Sequence, residues 1–223
     1  LLYALILTMS RGAFASLLAG AGIIFIQSRH KVVLAVAALA VALAGWSVMN
    51  PVQQDRYLSL FSDNTESSVT VEGRLDLIVN EFKLGLRRPL VGHGLGTTPE
   101  VKANIWGFRQ GSHNLYGQLL IEIGLIGFAF FIAYLWRVYR KFLENKRVLQ
   151  RVDTHYYEHA FYERLNLAMK TVFWMYAVYS LNYFGLSQYY WYMFGGLTIA
   201  FGRLLKEQIE GSAGLDQVPG KAL

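Results

Sequence analysis

The sequence contains no cysteine, and it is poor in charged residues. The absence of cysteine excludes disulfides, thiolate metal ligands and cysteine nucleophiles together, and it leaves the redox compartment undetermined. Only 16% of the 223 residues are charged, whereas 54% are hydrophobic. An ordinary soluble domain carries about 25% charged residues. The composition therefore predicts a membrane protein that crosses the bilayer several times.

The charge balance and the first residues of the chain add two expectations. The formal net charge is +6. A basic excess of this kind is typical of the cytoplasmic loops of membrane proteins, so we expect membrane lipids and no nucleic acid as partners. The chain starts at Leu1 in an apolar stretch with neither an initiator Met nor a preceding basic region. We therefore expect it to be the C-terminal part of a longer protein.

The apolar runs predict an all-α fold, a polytopic transmembrane helical bundle with a large extracytoplasmic loop that contains an amphipathic helix. The predicted segments are transmembrane helices in 1–50, the first of them truncated, the extracytoplasmic loop in 51–112, a transmembrane helix with a histidine motif in 113–136, a cytoplasmic connector in 137–165, a transmembrane hairpin in 166–205 and a cytoplasmic tail in 206–223.

The basic clusters support this topology because they all fall on one of its two sides. They are Arg29 to Lys31, Arg137 to Arg151 and Arg203 to Lys206. The positive-inside rule assigns that side to the cytoplasm. Arg11, Arg74 and His113 fall on the opposite side, together with the long loop.

The loop contains a stretch with helical periodicity, Glu72 to Leu86. Its apolar residues recur at three- and four-residue spacings, at Leu75, Ile78, Val79, Phe82 and Leu86. This pattern predicts an amphipathic helix that lies on the membrane surface. Pro89 ends the helix, and a glycine-rich turn follows from Val91 to Thr98.

His113 is the candidate for proton transfer because it stands where an apolar helix begins. Ser112 or Asn114 would cap that helix, and an equally simple interpretation has the imidazole solvated and without a chemical role. Along the helix, Gly117, Gly124 and Gly127 share a face with His113, where another backbone could approach. Glu122 lies inside the span, where ionisable groups usually face the protein interior.

Arg74 and Arg11 are candidates for binding a phosphate group. Arg74 stands early in the loop helix, where a positive charge opposes the helix dipole. A guanidinium fits phosphoryl oxygens with two parallel hydrogen bonds, which would explain it. The alternatives are solvation or pairing with Glu72 or Asp76 for Arg74, and a contact with lipid headgroups for Arg11.

Two other patterns indicate chemistry only weakly. Gly92 to Gly96 resembles a phosphate-binding turn, but it lacks the preceding strand and the lysine of a nucleotide loop. His155 to His159 matches the H-x-x-E-H pattern of inverted zinc proteases. It lies in the predicted cytoplasmic connector without an evident third ligand, so we predict no metal site.

Three motifs resemble the O-antigen ligase and O-antigen polymerase superfamily of bacterial envelope glycan enzymes. The first is His113-Asn114 followed after nine residues by Gly124 and after two more by Gly127. The second is the turn Ser10 to Ala13 before a span, and the third is the loop from Arg74 to Gly94, which resembles the periplasmic loop of that family. Together they cover most of residues 8 to 136.

The resemblance implies a glycosyltransferase of the bacterial inner membrane, multi-pass, with its active site on the periplasmic side. The donor would be a glycan on undecaprenyl diphosphate, and the acceptor a hydroxyl of the lipid A core or of another glycan. Arg11 and Arg74 would neutralise the diphosphate, and His113 would orient or deprotonate the acceptor hydroxyl. Asn114, Tyr116, Arg88 and His93 would bind substrate. The reaction would need no metal or other cofactor, and it would invert the anomeric carbon.

Three alternatives remain open from the sequence. The same motifs fit a polymerase of O-antigen or exopolysaccharide repeat units, which differs from the ligase in its acceptor. A translocator of lipid-linked glycan would also need arginines that face diphosphate. A structural or assembly subunit would depend on Gly20, Gly124 and Gly127 for helix packing rather than on His113.

Overall fold

The computed structural model describes residues 10–58, 68–150, 159–183, 185–186 and 188–215, and in 11, 56–57, 68–75 and 209–215 it describes the backbone alone. All regular secondary structure in these ranges is helical, which confirms the predicted all-α class. The helices are α1 (Arg11–Gln27), α2 (Lys31–Val48), α3 (Pro51–Leu58), α4 (Ser68–Gly85), α5 (Thr98–Trp106), α6 (Leu115–Leu149), α7 (His159–Tyr179) and α8 (Tyr190–Leu215).

Among the described residues, α2 and α6 are the helices long and apolar enough to cross a membrane. The most apolar window of each has a mean hydropathy of 2.1. Helix α1 is also apolar over Gly12–Gln27, but it is shorter. The crossings predicted for 166–205 correspond to α7 and α8, which fall below this threshold, so the complete multi-span bundle stays a prediction.

Helices α1 and α2 form an apolar pair connected by residues 28–30 and in contact with each other. Ser10 caps α1, because its hydroxyl oxygen accepts a hydrogen bond from the backbone N–H of Ala13 at 3.3 Å. Helix α2 consists mainly of alanine, valine and leucine, and none of its side chains is buried. A helix that is apolar on every side requires an apolar environment, which fits a membrane span.

Helices α4, α5 and α6 pack around a small apolar core of Leu84, Val101 and Ile121, one residue from each helix. Ile105 and Trp106 of α5 cover it. The helix predicted over 72–86 is therefore observed as α4. Its buried apolar residue is Leu84, at 2% exposure, whereas Val79 and Leu86 of the predicted apolar face are 49% and 57% exposed. This packing places the loop helices directly against the first turns of α6.

Helix α6 is interrupted at Gly124, whose φ of 63° and ψ of −167° are not helical. An interruption leaves backbone N–H and C=O groups without their partners in the helix. The turn after α4 supplies partners in four hydrogen bonds. They run from Leu125 N–H to Pro89 O at 2.7 Å, from Ile126 N–H to Leu90 O at 3.2 Å, from His93 N–H to Ile121 O at 2.8 Å and from Gly94 N–H to Glu122 O at 2.9 Å.

Glycine is required on both sides of this junction. A Cβ at Gly124 would lie 2.5 Å from the carbonyl oxygen of Leu90, and a Cβ at Gly92 would lie 2.5 Å from the carbonyl carbon of Glu122. The sequence predicted one uninterrupted helix from Leu115 to Trp136. The structure corrects this: the helix is interrupted at Gly124 and ends at Leu149. The interruption could not be predicted, because the close approach of two backbones does not alter the spacing of apolar residues.

The chain divides into two compact units. The first comprises Leu1–Ala129 and Trp174–Leu186, and the second comprises Phe130–Phe173 and Ser187–Leu223. The second unit is packed by aromatic rings. Trp191 meets Phe131 edge to face at 6.2 Å between ring centroids, and it meets Phe173 at 5.7 Å.

Candidate functional site

His113 precedes α6 in the first unit, and its side chain is exposed. It opens into a cavity of about 280 Å³. The other side chains that line this cavity come from α4, from the segment before His113 and from the residues after α7. They are Leu77, Ile78, Glu81, Gln110, Leu181 and Asn182.

Asn114 holds the start of α6 in place. Its Oδ1 accepts a hydrogen bond from the backbone N–H of Gly117 at 2.9 Å, which is the geometry of an N-terminal cap. Its Nδ2 donates to the carbonyl of Leu181 at 3.1 Å. The side chain is 1% exposed. Of the two caps considered from the sequence, Asn114 is thus the one observed, and its polar atoms are engaged within the protein.

Tyr116 also bonds within the fold. Its hydroxyl donates to the carbonyl of Ala177 at 2.9 Å, and the ring is partly buried. The Tyr116 hydroxyl therefore ties the first turn of α6 to the last turns of α7 inside the first unit.

Arg74 belongs to α4, and its position on that helix points to the cavity. Leu77, Ile78 and Glu81 follow Arg74 by three, four and seven residues, and all three line the cavity. Residues at these spacings share one face of an α-helix. The backbone of Arg74 thus lies on the face of α4 that forms the cavity wall, while its side chain lies outside the part that the structure describes.

Arg11 is the first residue of α1, and its neighbour Gly12 packs beside the cavity. A Cβ at Gly12 would lie 2.9 Å from the Cβ of Asn182, which lines the cavity. The beginning of α1 is therefore adjacent to the wall of the cavity. The side chain of Arg11 is outside the described residues, as that of Arg74 is.

Arg88 and His93 lie in the turn after α4, and the lining of the cavity does not include them. Arg88 is exposed, and the Nε2 of His93 is buried without a hydrogen-bond partner among the described residues. Burial lowers the pKa of His93, and the positive charges of Arg88 and Arg87 lower that pKa further, against a hydrogen bond with the backbone of Leu84 that raises it. Neither residue is therefore among those that line the cavity next to His113.

The glycine-rich turn from Gly92 to Gly96 is occupied by acceptors of the chain itself. The backbone N–H of Gly96 donates to Glu122 Oε2 at 2.9 Å, and the hydroxyl of Thr98 donates to Glu122 Oε1 at 2.7 Å. Glu122 is 3% exposed, so its carboxylate faces the protein interior as expected. Because this carboxylate occupies the start of α5, the turn has no free donor at Gly96 for the phosphate of a nucleotide.

The reasoning from sequence missed a buried ion pair next to His113. Lys102 and Glu81 are 0% and 1% exposed, and the distance between Nζ and Oε1 is 2.5 Å. Glu81 Oε2 accepts a hydrogen bond from the hydroxyl of Ser112 at 2.7 Å. The two charges are 21 residues apart and on different helices, so no local pattern connects them. In the sequence, the pair is indicated only by Lys102, a lysine that stands between Val101 and the apolar end of α5.

Metal ligands do not cluster in the described residues: no group of three or more histidine, aspartate or glutamate side chains is found there. Most of the H-x-x-E-H pattern lies outside the described residues. His159, its last residue, contacts the carbonyl of Leu149 through Nε2 at 3.0 Å.

The cavity thus combines an exposed imidazole with two side-chain amides, those of Gln110 and Asn182, above an apolar wall. An imidazole can take a proton from a hydroxyl near neutral pH, and amides can donate to and accept from hydroxyl groups. The arrangement suits acid–base chemistry on a substrate rich in hydroxyls. The described residues are all-helical where they are regular, and two of the helices are long and apolar enough to cross a membrane.

A comparison with models of known protein families identifies the family of this chain. The model of the family described as O-antigen ligase matches residues 1–132, which is more than half of the chain, so the chain belongs to this family. The match includes all three motifs that suggested the family in the sequence. No curated protein matches the chain. No solved structure matches it either.

Proposed function

We propose that the protein transfers a glycan from undecaprenyl diphosphate to a hydroxyl group of an acceptor, in the cavity next to His113. The family supports this proposal, since the matched model is that of O-antigen ligase. The observation that carries it is local. One cavity adjoins His113, the face of α4 that bears Arg74 and the beginning of α1 that bears Arg11.

The proposed reaction is a direct displacement. The acceptor oxygen attacks the anomeric carbon, the bond between that carbon and the diphosphate oxygen breaks, and undecaprenyl diphosphate leaves with the bonding electrons. The proton of the acceptor hydroxyl passes to the imidazole of His113 and from there to water. A base placed in this way accelerates a reaction by about 10²- to 10⁴-fold. Attack from the opposite side inverts the anomeric configuration.

The arginines act on the leaving group in this proposal. Negative charge grows on the diphosphate as the bond breaks, and fixed guanidinium groups in a site of low dielectric constant stabilise it. They bind the same diphosphate before the reaction, so they also contribute to donor affinity. The two arginines belong to separate helices, α4 and α1, and the proposal requires both to bind the same diphosphate.

The acceptor separates two versions of the proposal. A ligase joins the glycan to the lipid A core, whereas a polymerase joins it to another lipid-linked glycan. The family and the cavity support both equally. The product identifies the version, because the ligase consumes one lipid-linked glycan per bond and the polymerase elongates one at the expense of another.

We also propose that the site faces the periplasm of a multi-pass protein in the bacterial inner membrane. The basic residues after Trp136 support this topology by the positive-inside rule. The chain contains no cysteine, so single cysteines report accessibility without background. In intact cells, a membrane-impermeant maleimide should label Phe108→Cys and should leave Lys146→Cys unlabelled until the cells are opened. The reverse pattern would contradict the topology.

Reconstitution tests the chemistry. Purified protein in liposomes receives a lipid-linked donor and either the lipid A core or a second lipid-linked glycan, and the products are a new glycosidic bond and free undecaprenyl diphosphate. His113→Ala should lower kcat by about 10²- to 10⁴-fold because the acceptor loses its base. Arg74→Ala should lower kcat and weaken donor binding. A translocator would move the donor across the bilayer without forming a bond.

Matched controls are available in the short connection between α1 and α2. His30 and Arg29 are exposed there, so His30→Ala and Arg29→Ala should retain the wild-type rate. The proposal fails if folded His113→Ala and Arg74→Ala proteins both transfer glycan as fast as the wild type.

A further inference from the structure

The buried ion pair between Glu81 and Lys102 lies directly under the residues that flank His113. Removing two charges from water costs free energy that their attraction often fails to recover, so a buried pair is weak support for a stabilising role alone. The groups that the pair binds therefore need to be considered. We propose that Glu81 and Lys102 are positioning residues that fix the backbone around His113. This inference rests on the proposed function.

The pair is attached to both sides of the segment before His113. Lys102 Nζ donates to the carbonyl of Gly111 at 3.0 Å, in addition to its contact with Glu81. Glu81 Oε2 accepts from the Ser112 hydroxyl at 2.7 Å. Both residues immediately before His113 are thus bonded to the pair. The lysine has a further contact with the ring of Trp106, 5.4 Å from its centroid.

Hydrogen bonds also hold the residues after His113. The backbone N–H of Asn114 donates to Ser112 Oγ at 3.0 Å, which makes Ser112 the connection between Glu81 and the far side of His113. The N–H of Leu115 donates to the carbonyl of Ser180 at 2.9 Å. His113 is therefore an exposed residue whose neighbours on both sides are held by hydrogen bonds.

The first turn of α6 has room for Glu81 because residue 117 is glycine. A Cβ at Gly117 would lie 2.9 Å from Glu81 Oε2 and 3.2 Å from Glu81 Cβ. Helix α4 can thus approach α6 closely enough for its carboxylate to reach Ser112. Arg74 lies on the same face of this helix, seven residues before Glu81. Glu81 consequently links the helix that bears the proposed diphosphate ligand to the segment that bears the proposed base.

A double variant separates positioning from stability. Glu81→Met with Lys102→Met removes both charges and keeps the side-chain lengths, so no charge stays buried without a partner. The fold should be retained, and Ser112 keeps its contact with the carbonyl of Asn114 at 2.8 Å. We expect kcat to fall about 10- to 100-fold in the reconstituted assay, since small misplacements of a reacting group have effects of this size. The KM for the lipid-linked donor should stay within about twofold.

The exposed pair between Arg109 and Glu100 is the matched control, because it also connects α5 to the segment before His113. Its side chains are 71% and 47% exposed. Glu100→Gln with Arg109→Gln should leave kcat unchanged. Lys102→Met alone strands the carboxylate of Glu81 in the interior and should lower the unfolding temperature as well as kcat.

Hydrogen exchange provides a readout that does not require activity. The amides of 112–115 should exchange faster in Glu81→Met/Lys102→Met than in the wild type, and those of α2 should be unchanged. If the double variant is unstable, Ser112→Ala takes its place, with kcat expected to fall about threefold to tenfold.

The outcomes distinguish this inference from the proposed function. A wild-type protein that forms no glycosidic bond contradicts the proposed function, while the exchange rates still decide the positioning role. An active wild type together with a double variant of equal kcat overturns the inference and leaves the proposed function intact. So does unchanged exchange over 112–115. A last comparison is between Lys102→Met and the double variant. If adding Glu81→Met restores both the unfolding temperature and kcat, the pair has a structural role alone, and the positioning inference is overturned.

Discussion

The N-terminal hairpin, residues 11–48, and the site region, residues 76–126, distribute their side chains in opposite ways. Large apolar residues of the hairpin are exposed, such as Val32 at 77% and Ile26 at 72%. The site region buries charged residues, with Lys102 at 0% and Glu122 at 3%. A soluble domain shows the reverse. The exposed apolar surface of the hairpin suits contact with lipid, and the buried polar groups of the site region suit a region held together by specific hydrogen bonds.

The two regions also use glycine and hydrogen bonds differently. In the hairpin, Gly22 has no neighbour within 4 Å of its Cβ position, whereas at Gly124 the backbone of another segment stands at 2.5 Å. Hydrogen bonds of the hairpin include local ones such as that from Ser16 Oγ to Gly12 O, whereas several of the site region connect segments distant in sequence. Beyond the first turn of α1, which adjoins the cavity at Gly12, substitutions in the hairpin should consequently have small effects, and those in the site region should have large ones.

The largest difference is expected for Gly124→Ala against Gly22→Ala. The added methyl group at 124 collides with the carbonyl of Leu90 and forces a positive φ on alanine, so we expect a loss of about 4 kcal/mol or more. Gly22→Ala should be neutral or slightly stabilising because alanine favours helices. The measurement is the unfolding temperature in detergent.

A third glycine variant separates the two causes. Gly96 has a φ of 75° and no neighbour within 4 Å of its Cβ position. Gly96→Ala should cost only the conformational strain, about 1 to 2 kcal/mol. A Gly124→Ala protein as stable as Gly96→Ala would contradict the close approach at the helix interruption.

The next largest difference is expected for truncated leucines. Leu119 is 0% exposed in α6, and Leu39 is 60% exposed in α2. Leu119→Ala should cost about 2 to 5 kcal/mol through lost packing and a cavity, and Leu39→Ala less than about 0.5 kcal/mol. Denaturation of both variants in the same detergent checks this. Equal losses would mean that the hairpin packs as tightly as the site region.

Polar side chains within the apolar helices should differ to a lesser degree. Glu122→Ala leaves the N–H of Gly96, the hydroxyl of Thr98 and the amide of Gln118 without their acceptor, which should cost about 2 kcal/mol. Ser47 of α2 is exposed and donates to the carbonyl of Ala44 in its own helix, so Ser47→Ala should be neutral. Thermal unfolding of the two variants, with Glu122→Gln as an isosteric intermediate, provides the measurement.

The smallest effect is a dependence on pH through His93. Burial lowers its pKa from the ordinary 6.5. As the pH falls below that value, the unfolded chain binds a proton before the folded chain does, so the folded state loses stability. His93→Gln should flatten this part of the profile, which unfolding temperatures between about pH 5 and 8 would show. A profile identical to that of the wild type would assign the acid sensitivity to other groups.

The sequence predicted those features that produce a pattern over a short stretch of residues. The helix α4 was visible in its apolar spacing, His113 in its place before an apolar run, and the family in three short motifs. The interruption at Gly124 was not visible, because a glycine in an apolar run also fits ordinary helix packing. The pair of Glu81 and Lys102 was not visible either, since it depends on how α4 and α5 fold onto α6.

The junction at Gly124 has a consequence for variation. Main-chain atoms make its four hydrogen bonds, so the identities of Leu90 and Val91, which are 64% and 70% exposed, hardly matter to it. Spacing matters far more, because one residue inserted between Leu90 and Gly92 would shift the donors His93 and Gly94 relative to the acceptors Pro89 and Leu90, so that all four bonds could not form together. The residue types of this turn can therefore vary except at Gly92 and Gly94, whose φ values are positive, whereas the number of residues in the turn cannot change.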